Sequence, residues 1–450
     1  MSAASPHSRA AGLRYASTRD AGTSVGFADA LLQGLAPDGG LYVPTSWPRL
    51  EPAAFGTETR LPQIGATLLA PFVGADLPRG ELESIAAEAF SFPAPLVPLE
   101  EGRLSVLELF HGPTAAFKDF GARFLAATFA RLRKPDARPL TILVATSGDT
   151  GGAVAAAFHQ KPGIEVGVLF PKGLVSPIQE RQLTCWGDNV KSFAVRGTFD
   201  DCQQLVKRAF VDPRLREQTE LSSANSINLG RLLPQAVYYA ASSLAIWRQY
   251  GEVASYVIPS GNLGNVAACI WARKIGLPIG EIVLAHNANR TVPDFLQTGE
   301  WRPRSSVATL ASAMDVGNPS NMERLRWLFP DVNAMRVAIS AESVDDTQIR
   351  AQIRRGFQRY RQIWCPHTAT AAEVYERTVA PRALGQGRSR RWVLVSTAHP
   401  AKFAETVEPL IGQKVPVPET LARLFARPTR CTEISADLEA LRAALGRGGA

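Results

Sequence analysis

Thr141-Ile142-Leu143-Val144-Ala145-Thr146-Ser147-Gly148-Asp149-Thr150-Gly151-Gly152 runs from six apolar or β-branched residues into a glycine turn and then a small-residue stretch. A short strand with no polar alternation is buried on both faces, and helices must cover it. The same plan recurs at Tyr256-Val257-Ile258-Pro259 before Ser260-Gly261-Asn262-Leu263-Gly264-Asn265, and at Trp392-Val393-Leu394-Val395-Ser396-Thr397-Ala398-His399-Pro400. Working outward, the candidate strands are Thr141–Thr146, Val166–Phe170, Ser192–Val195, Ser255–Pro259, Ile282–Ala285 and Trp392–Ser396. Between them the helical pattern fits Asp119–Arg133, Thr150–His159, Pro177–Trp186, Phe199–Phe210, Arg231–Tyr250, Gly264–Ile275, Asp346–Tyr360 and Ala369–Ala380. Strands alternating with helices predict an α/β fold with mostly parallel sheets covered on both faces. Ligands in such folds bind at the carboxyl ends of the strands, where the glycine turns fall.

The 450 residues exceed one ordinary domain; at ~150 residues each, about three are expected. Residues 13–100 read as a separate, α-rich opening domain with a turn at Pro37-Asp38-Gly39-Gly40, a proline-rich exit at Pro93, Pro95 and Pro98, and little that looks catalytic. It reads as a packing or interface module. Residues 286–330 read as irregular, and the chain after Pro416 as a mostly exposed helical extension. The first dozen residues are Ala/Ser/Arg-rich without acids, which reads either as a weak organelle-targeting segment or as an unstructured N-terminus; they lack the 7–15-residue apolar core of a secretory signal, and a cytoplasmic protein is expected.

Composition excludes several classes. The chain is 46% hydrophobic and 20% charged, which supplies a core and argues against disorder. No apolar run approaches the ~18 residues that cross a bilayer. The five cysteines are scattered without C-x-x-C spacing, so neither a disulfide framework nor a metal site is indicated. The net charge of +8 is carried by dispersed arginines rather than a basic stripe, which argues against nucleic-acid binding.

Four segments carry chemistry. Lysine is scarce, with nine in the chain and none before Lys118, which stands in His111-Gly112-Pro113-Thr114-Ala115-Ala116-Phe117-Lys118-Asp119-Phe120. A solvated surface lysine is one reading. The other is an amine at a positive helix end in an apolar loop, with a lowered pKa, suited to form a Schiff base with an aldehyde. The turn Ser147–Gly152 offers free N–H groups to an anion, or Asp149 or Thr150 is a simple helix cap. The turn Gly261–Asn265 can wrap a phosphate, although it lacks the lysine of a P-loop and the spacing of a dinucleotide site. Thr397 or His399 reads alone as a cap.

Together and in this order, these segments resemble threonine synthase of the pyridoxal-phosphate fold type II (tryptophan-synthase β-like) family. Gly34 to Tyr42, Ser176 to Glu180, Gly197 to Cys202, Asn225 to Asn228 and Ser396 to Phe403 also resemble family strings. The resemblance implies two three-layer α/β lobes plus the N-terminal domain. Residues 101–137 and 226–415 would form a large cofactor-binding lobe, residues 138–225 a small mobile lobe, and residues 416–450 the helical extension.

The resemblance also implies roles. Lys118 would hold pyridoxal phosphate covalently, and Gly261, Asn262, Leu263, Gly264 and Asn265 would bind its phosphate. Thr397 would face the pyridine nitrogen. Asp149 stands where relatives outside this branch place an asparagine against the phenolic oxygen; a carboxylate cannot donate there unless protonated. Ser147, Thr150, Asn225 and Arg231 would hold the substrate's carboxylate or phosphate, for which a guanidinium is a fork-shaped partner. The implied reaction converts O-phospho-L-homoserine and water to L-threonine and phosphate. Its rival is a phospho-lyase that takes the same substrate to 2-oxobutyrate, phosphate and ammonia. No metal or membrane partner is expected, and the family implies a monomer or homodimer.

Overall fold

The computed structural model describes residues 12–100, 103–134, 136–385 and 391–446. The unstructured stretch expected at residues 1–12 falls, except for Gly12, outside them.

Three sheets organise the chain. A small antiparallel sheet joins Tyr15–Ser17 to Ser24–Val25 and Tyr42–Pro44 near the start. A six-stranded sheet has the spatial order Ser340–Ser343, Ile279–His286, Ala254–Pro259, Arg391–Ser396, Leu104–Glu108, Leu96–Glu100. All its neighbours are parallel except the last pair. A five-stranded, fully parallel sheet runs Thr432–Ser435, Val190–Arg196, Ile164–Pro171, Leu140–Ala145, Glu220–Ser223. The six expected strands are all present, each longer or shifted by a residue or more.

Four expectations need correction. The strand Leu96–Glu100 is the edge of the six-stranded sheet, so the opening section ends before it. The helix expected over Arg231–Tyr250 is broken: Leu229–Leu232 passes into a 3-10 turn Leu233–Gln235 before Ala236–Tyr250, and Pro234, which has no N–H to donate, sits at the break. The segment 286–330 contains helices Thr291–Thr298 and Met322–Leu328. The tail is not simply an exposed helix: Thr432–Ser435 pairs with Phe193–Arg196 and extends the five-stranded sheet, with Ile434 and Leu441 buried.

An aromatic series packs beside the Gly261–Asn265 turn, where Tyr238 and Tyr239 bond Asn265. Phe92, Phe120, Tyr238, Tyr239 and Tyr256 follow one another at centroid distances of 4.6, 5.1, 4.8 and 5.1 Å. Such tilted and edge contacts each add about 0.5–1.5 kcal/mol beyond simple burial. The opening section is fastened to this body by Arg324, which is buried and donates to the carbonyls of Tyr42 (3.1 Å) and Ile227 (2.7 Å). The carboxyl ends of both larger sheets face one cavity of about 1390 Å³. Thr18, Arg19 and Gly39 of the opening section also line it.

Candidate active site

Lys118 is the first residue of the helix Lys118–Leu132. The loop before it is held from two sides. Phe117 N–H donates to the Thr397 carbonyl (2.9 Å), and His399 N–H donates to the Ala115 carbonyl (3.0 Å). Ala115 takes a left-handed φ of 53°, unusual for a residue with a β-carbon. Asp119 closes the loop by accepting from Thr114 N–H (2.9 Å) and the Thr114 hydroxyl (2.6 Å). These bonds aim Lys118 into the cavity, where its amine has no ion-pair or hydrogen-bond partner among the described residues. Burial lowers its pKa to about 8; Lys402 and Arg231 push the same way, and Asp149 opposes them.

Asp149 opens the helix Asp149–Phe158, but it is not the cap. Thr146 Oγ1 takes that work, accepting from the N–H groups of Gly148 and Gly151, both at 2.9 Å. Gly151 is required there, because a β-carbon would come within 2.5 Å of Thr146 Cγ2. The Asp149 carboxylate is instead buried against Lys402 Nζ (2.6 Å) and Gln179 Nε2 (3.0 Å). Burial alone would raise its pKa, but Lys402 and Lys118 outweigh that and hold it well below the usual carboxylate range. Removing one partner of such a buried pair costs about 3–5 kcal/mol.

The turn Ser260–Leu263 leads into the helix Gly264–Lys274. Gly261 lies against backbone: a β-carbon would stand 2.8 Å from Met314 Cα. Leu263 adopts φ 62°, which is a strained conformation for a branched side chain. Asn262 pins the turn by donating to Ser226 Oγ (2.7 Å) and accepting from Ser320 N–H (2.5 Å). Asn265 Oδ1 accepts from Tyr238 (2.6 Å) and Tyr239 (2.8 Å), which fixes the amide so that Nδ2 is buried without a partner.

Ser147, Thr150, Asn225, Arg231 and Thr397 all line the same cavity. Asn225 donates to the Ala145 carbonyl (3.1 Å), while its Oδ1 is buried and unpartnered. Arg231 bonds the Ala224 carbonyl through Nη1, but its Nε has no partner. Burial pulls its pKa down to about 10, with Asp119 opposing. His367 completes the wall: its Nε2 accepts from Ala313 N–H (3.1 Å), and burial lowers its pKa to about 4, so the ring is neutral. The structure thus brings every site residue expected from the sequence to one cavity. His399, by contrast, is a helix cap, accepting from Ala401 N–H (3.1 Å).

Comparison with known proteins gives this arrangement its family. The model for pyridoxal-phosphate dependent enzymes matches residues 90–398. Models for the threonine synthase N terminus and C-terminal region match residues 14–90 and 368–445. The chain belongs to the threonine synthase family. It is 40% identical to threonine synthase from Haemophilus influenzae over 94% of this chain and 96% of that one. The solved structure of threonine synthase from Escherichia coli superposes with a TM-score of 0.88 at 36% identity, covering 96% of this chain and 99% of that one. The pyridoxal-phosphate-bound threonine synthase from Brucella melitensis gives 0.88 at 32% identity, covering 96% and 98%. The fold is that of the fold type II pyridoxal-phosphate enzymes, and pyridoxal phosphate is the cofactor.

The residues present fit that cofactor. A free amine, a glycine turn with a backbone wall behind it, and the unpartnered Asn265 Nδ2 supply a nucleophile and an anion cradle in one cavity. Sequence reasoning gave Lys402, Gln179 and His367 no role in this threonine synthase site. For Lys402 a signal existed: it is one of nine lysines and lies between Ala401 and Phe403 in a turn begun by Pro400.

Proposed function

We propose that this chain makes L-threonine and phosphate from O-phospho-L-homoserine and water, with Lys118 as its covalent cofactor residue. When bound, pyridoxal phosphate takes the substrate's amine and delocalises the charge left by removal of the α-proton. The observation that carries the reading is the unpartnered Lys118 amine in the cavity formed by the Gly261–Asn265 turn.

The protein's own residues divide the remaining work. The N–H groups of Gly261, Asn262, Leu263, Gly264 and Asn265, at the positive end of the helix Gly264–Lys274, hold the cofactor phosphate, and Asn265 Nδ2 adds a side-chain donor. Thr397, which lines the cavity, would offer the pyridine nitrogen a neutral hydroxyl, and such a group would leave that nitrogen unprotonated. Asp149 remains a carboxylate beside Lys118 and serves as an acceptor for Lys402 and Gln179. Ser147, Thr150 and Asn225 hold the substrate carboxylate, and Arg231 an anionic group of the substrate. Lys118 Nζ would take up the α-proton and return protons to the carbon chain, a role worth about 10²–10⁴-fold.

The protein acts in the cytoplasm on this small molecule, as a monomer or homodimer, without nucleic acid. No helix among the described residues is long and apolar enough to cross a membrane. The test is to supply O-phospho-L-homoserine to the full-length protein and measure phosphate and threonine together. Equal yields are expected. Phosphate with 2-oxobutyrate and ammonia, and no threonine, would overturn the reading in favour of a phospho-lyase.

A further inference from the structure

We propose that Lys402 is a positioning residue for Lys118: by serving as the fixed partner of Asp149, it keeps the Lys118 nitrogen from becoming that partner. The inference rests on Lys118 being the cofactor lysine.

The geometry has three parts. First, the Lys402 ammonium is enclosed, its side chain 0% exposed and that of Asp149 4%, at 2.6 Å from Oδ1. Second, its position is set by other bonds. Nζ also donates to the Thr114 carbonyl (3.0 Å), which belongs to the loop that aims Lys118. Gln182 Nε2 donates to that same carbonyl (3.1 Å). Lys402 sits on the 3-10 turn Pro400–Phe403, directly after the strand end that carries Thr397. Third, Asp149 and Lys118 line the same cavity, and each bears on the other's charge.

The groups that face Lys118 come from four elements. They are Asp149 from the helix Asp149–Phe158, Lys402 from the turn Pro400–Phe403, Arg231 from Leu229–Leu232 and His367 from Pro366–Val374. Asp149 is the one anion acting on Lys118; Asp119, on which Lys402 also acts, spends its two oxygens on the Thr114 N–H and hydroxyl. With Lys402 in place, Asp149 is matched by an ammonium in direct contact. Without Lys402, Lys118 is the remaining ammonium that acts on it. A buried carboxylate then favours the protonated form of the Lys118 nitrogen, whether free or joined to the cofactor. Lys402 thus sets the protonation of a nitrogen it does not touch.

The test is a pH titration of the absorption spectrum of the full-length, cofactor-loaded protein, which reads protonation of the cofactor–Lys118 linkage. Lys402→Met is expected to move the midpoint up by about one pH unit, a tenfold change in the protonated-to-neutral ratio. Asp149→Asn, which leaves the ammonium and removes the carboxylate, is expected to move it down. The double variant is expected to return close to wild type. A residue that only supports the fold would move both single variants the same way or neither, and either result would overturn the proposal. If Lys402→Met does not fold, Asp149→Asn and the double variant decide it, since a midpoint unchanged in the first or displaced in the second contradicts the scheme. Borohydride reduction of wild type supplies the control: a label away from Lys118 would be a failure of the cofactor assignment, distinct from a failure of this proposal.

Discussion

Met314 Cα stands 2.8 Å from the point that a β-carbon on Gly261 would occupy. The obstacle is backbone, so no rotamer change relieves it. The wall is also fixed to the turn nearby, with Asn321 Nδ2 donating to the Asn262 carbonyl (3.0 Å). Gly261→Ala is therefore expected to displace the turn and weaken pyridoxal phosphate binding at least about tenfold, the loss of roughly one hydrogen bond to a charged group. Absorbance titration of the cofactor-free variant measures this. Wild-type affinity would show that the turn does not hold the phosphate.

Arg231 lines the cavity, and its buried Nε, which lies against Gly121, has no hydrogen-bond partner. With its guanidinium holding the substrate's anionic group, Arg231→Lys keeps the charge but loses the planar fork. We expect kcat/KM to fall about 10–100-fold, the range for a lost charge-assisted bond. Cofactor loading should persist. Steady-state kinetics on O-phospho-L-homoserine check both statements.

Covalent capture of the cofactor needs a neutral amine. The Lys118 pKa is lowered from 10.5 to about 8, chiefly by burial. At pH 7 about a tenth of the amine is then neutral, against about three parts in ten thousand for an ordinary lysine. The sign follows: the capture rate of the cofactor-free protein should rise with pH, bend near 8 and then level off. Stopped-flow absorbance reads the profile. A rate still climbing tenfold per unit above pH 9 would mean that Lys118 is unperturbed.

The tail strand is a stability element. Ile434 is buried where Thr432–Ser435 joins Phe193–Arg196. Ile434→Ala should destabilise the five-stranded sheet by about 2–5 kcal/mol. Thermal unfolding with and without the tail's substitution tests it. An unchanged midpoint would return the tail to the status of an exposed extension.

The sequence made the two parallel sheets legible because their central strands, such as Leu140–Ala145 and Ala254–Pro259, are continuous apolar runs buried on both faces. Edge strands left little trace. Glu220–Ser223 and Thr432–Ser435 are polar and short, since an edge is half solvated and needs no apolar run. At the site, the glycine turns and Lys118 were readable because positive φ, close backbone approach and a scarce amine leave marks in composition. The Asp149–Lys402 pair was not, because 253 positions separate two residues that only the strand order brings together. The wall at Met314 was hidden for the same reason, within a segment that reads as irregular.

Lys402 contacts the Asp149 carboxylate, and Lys118 acts on it without contact, so two buried lysines are candidates to hold the cofactor. Reduction of the pyridoxal-phosphate-loaded protein with borohydride, followed by peptide mapping, decides between them directly. The expected result is a single pyridoxyl group on Lys118. A label on Lys402, or none on Lys118, would contradict it.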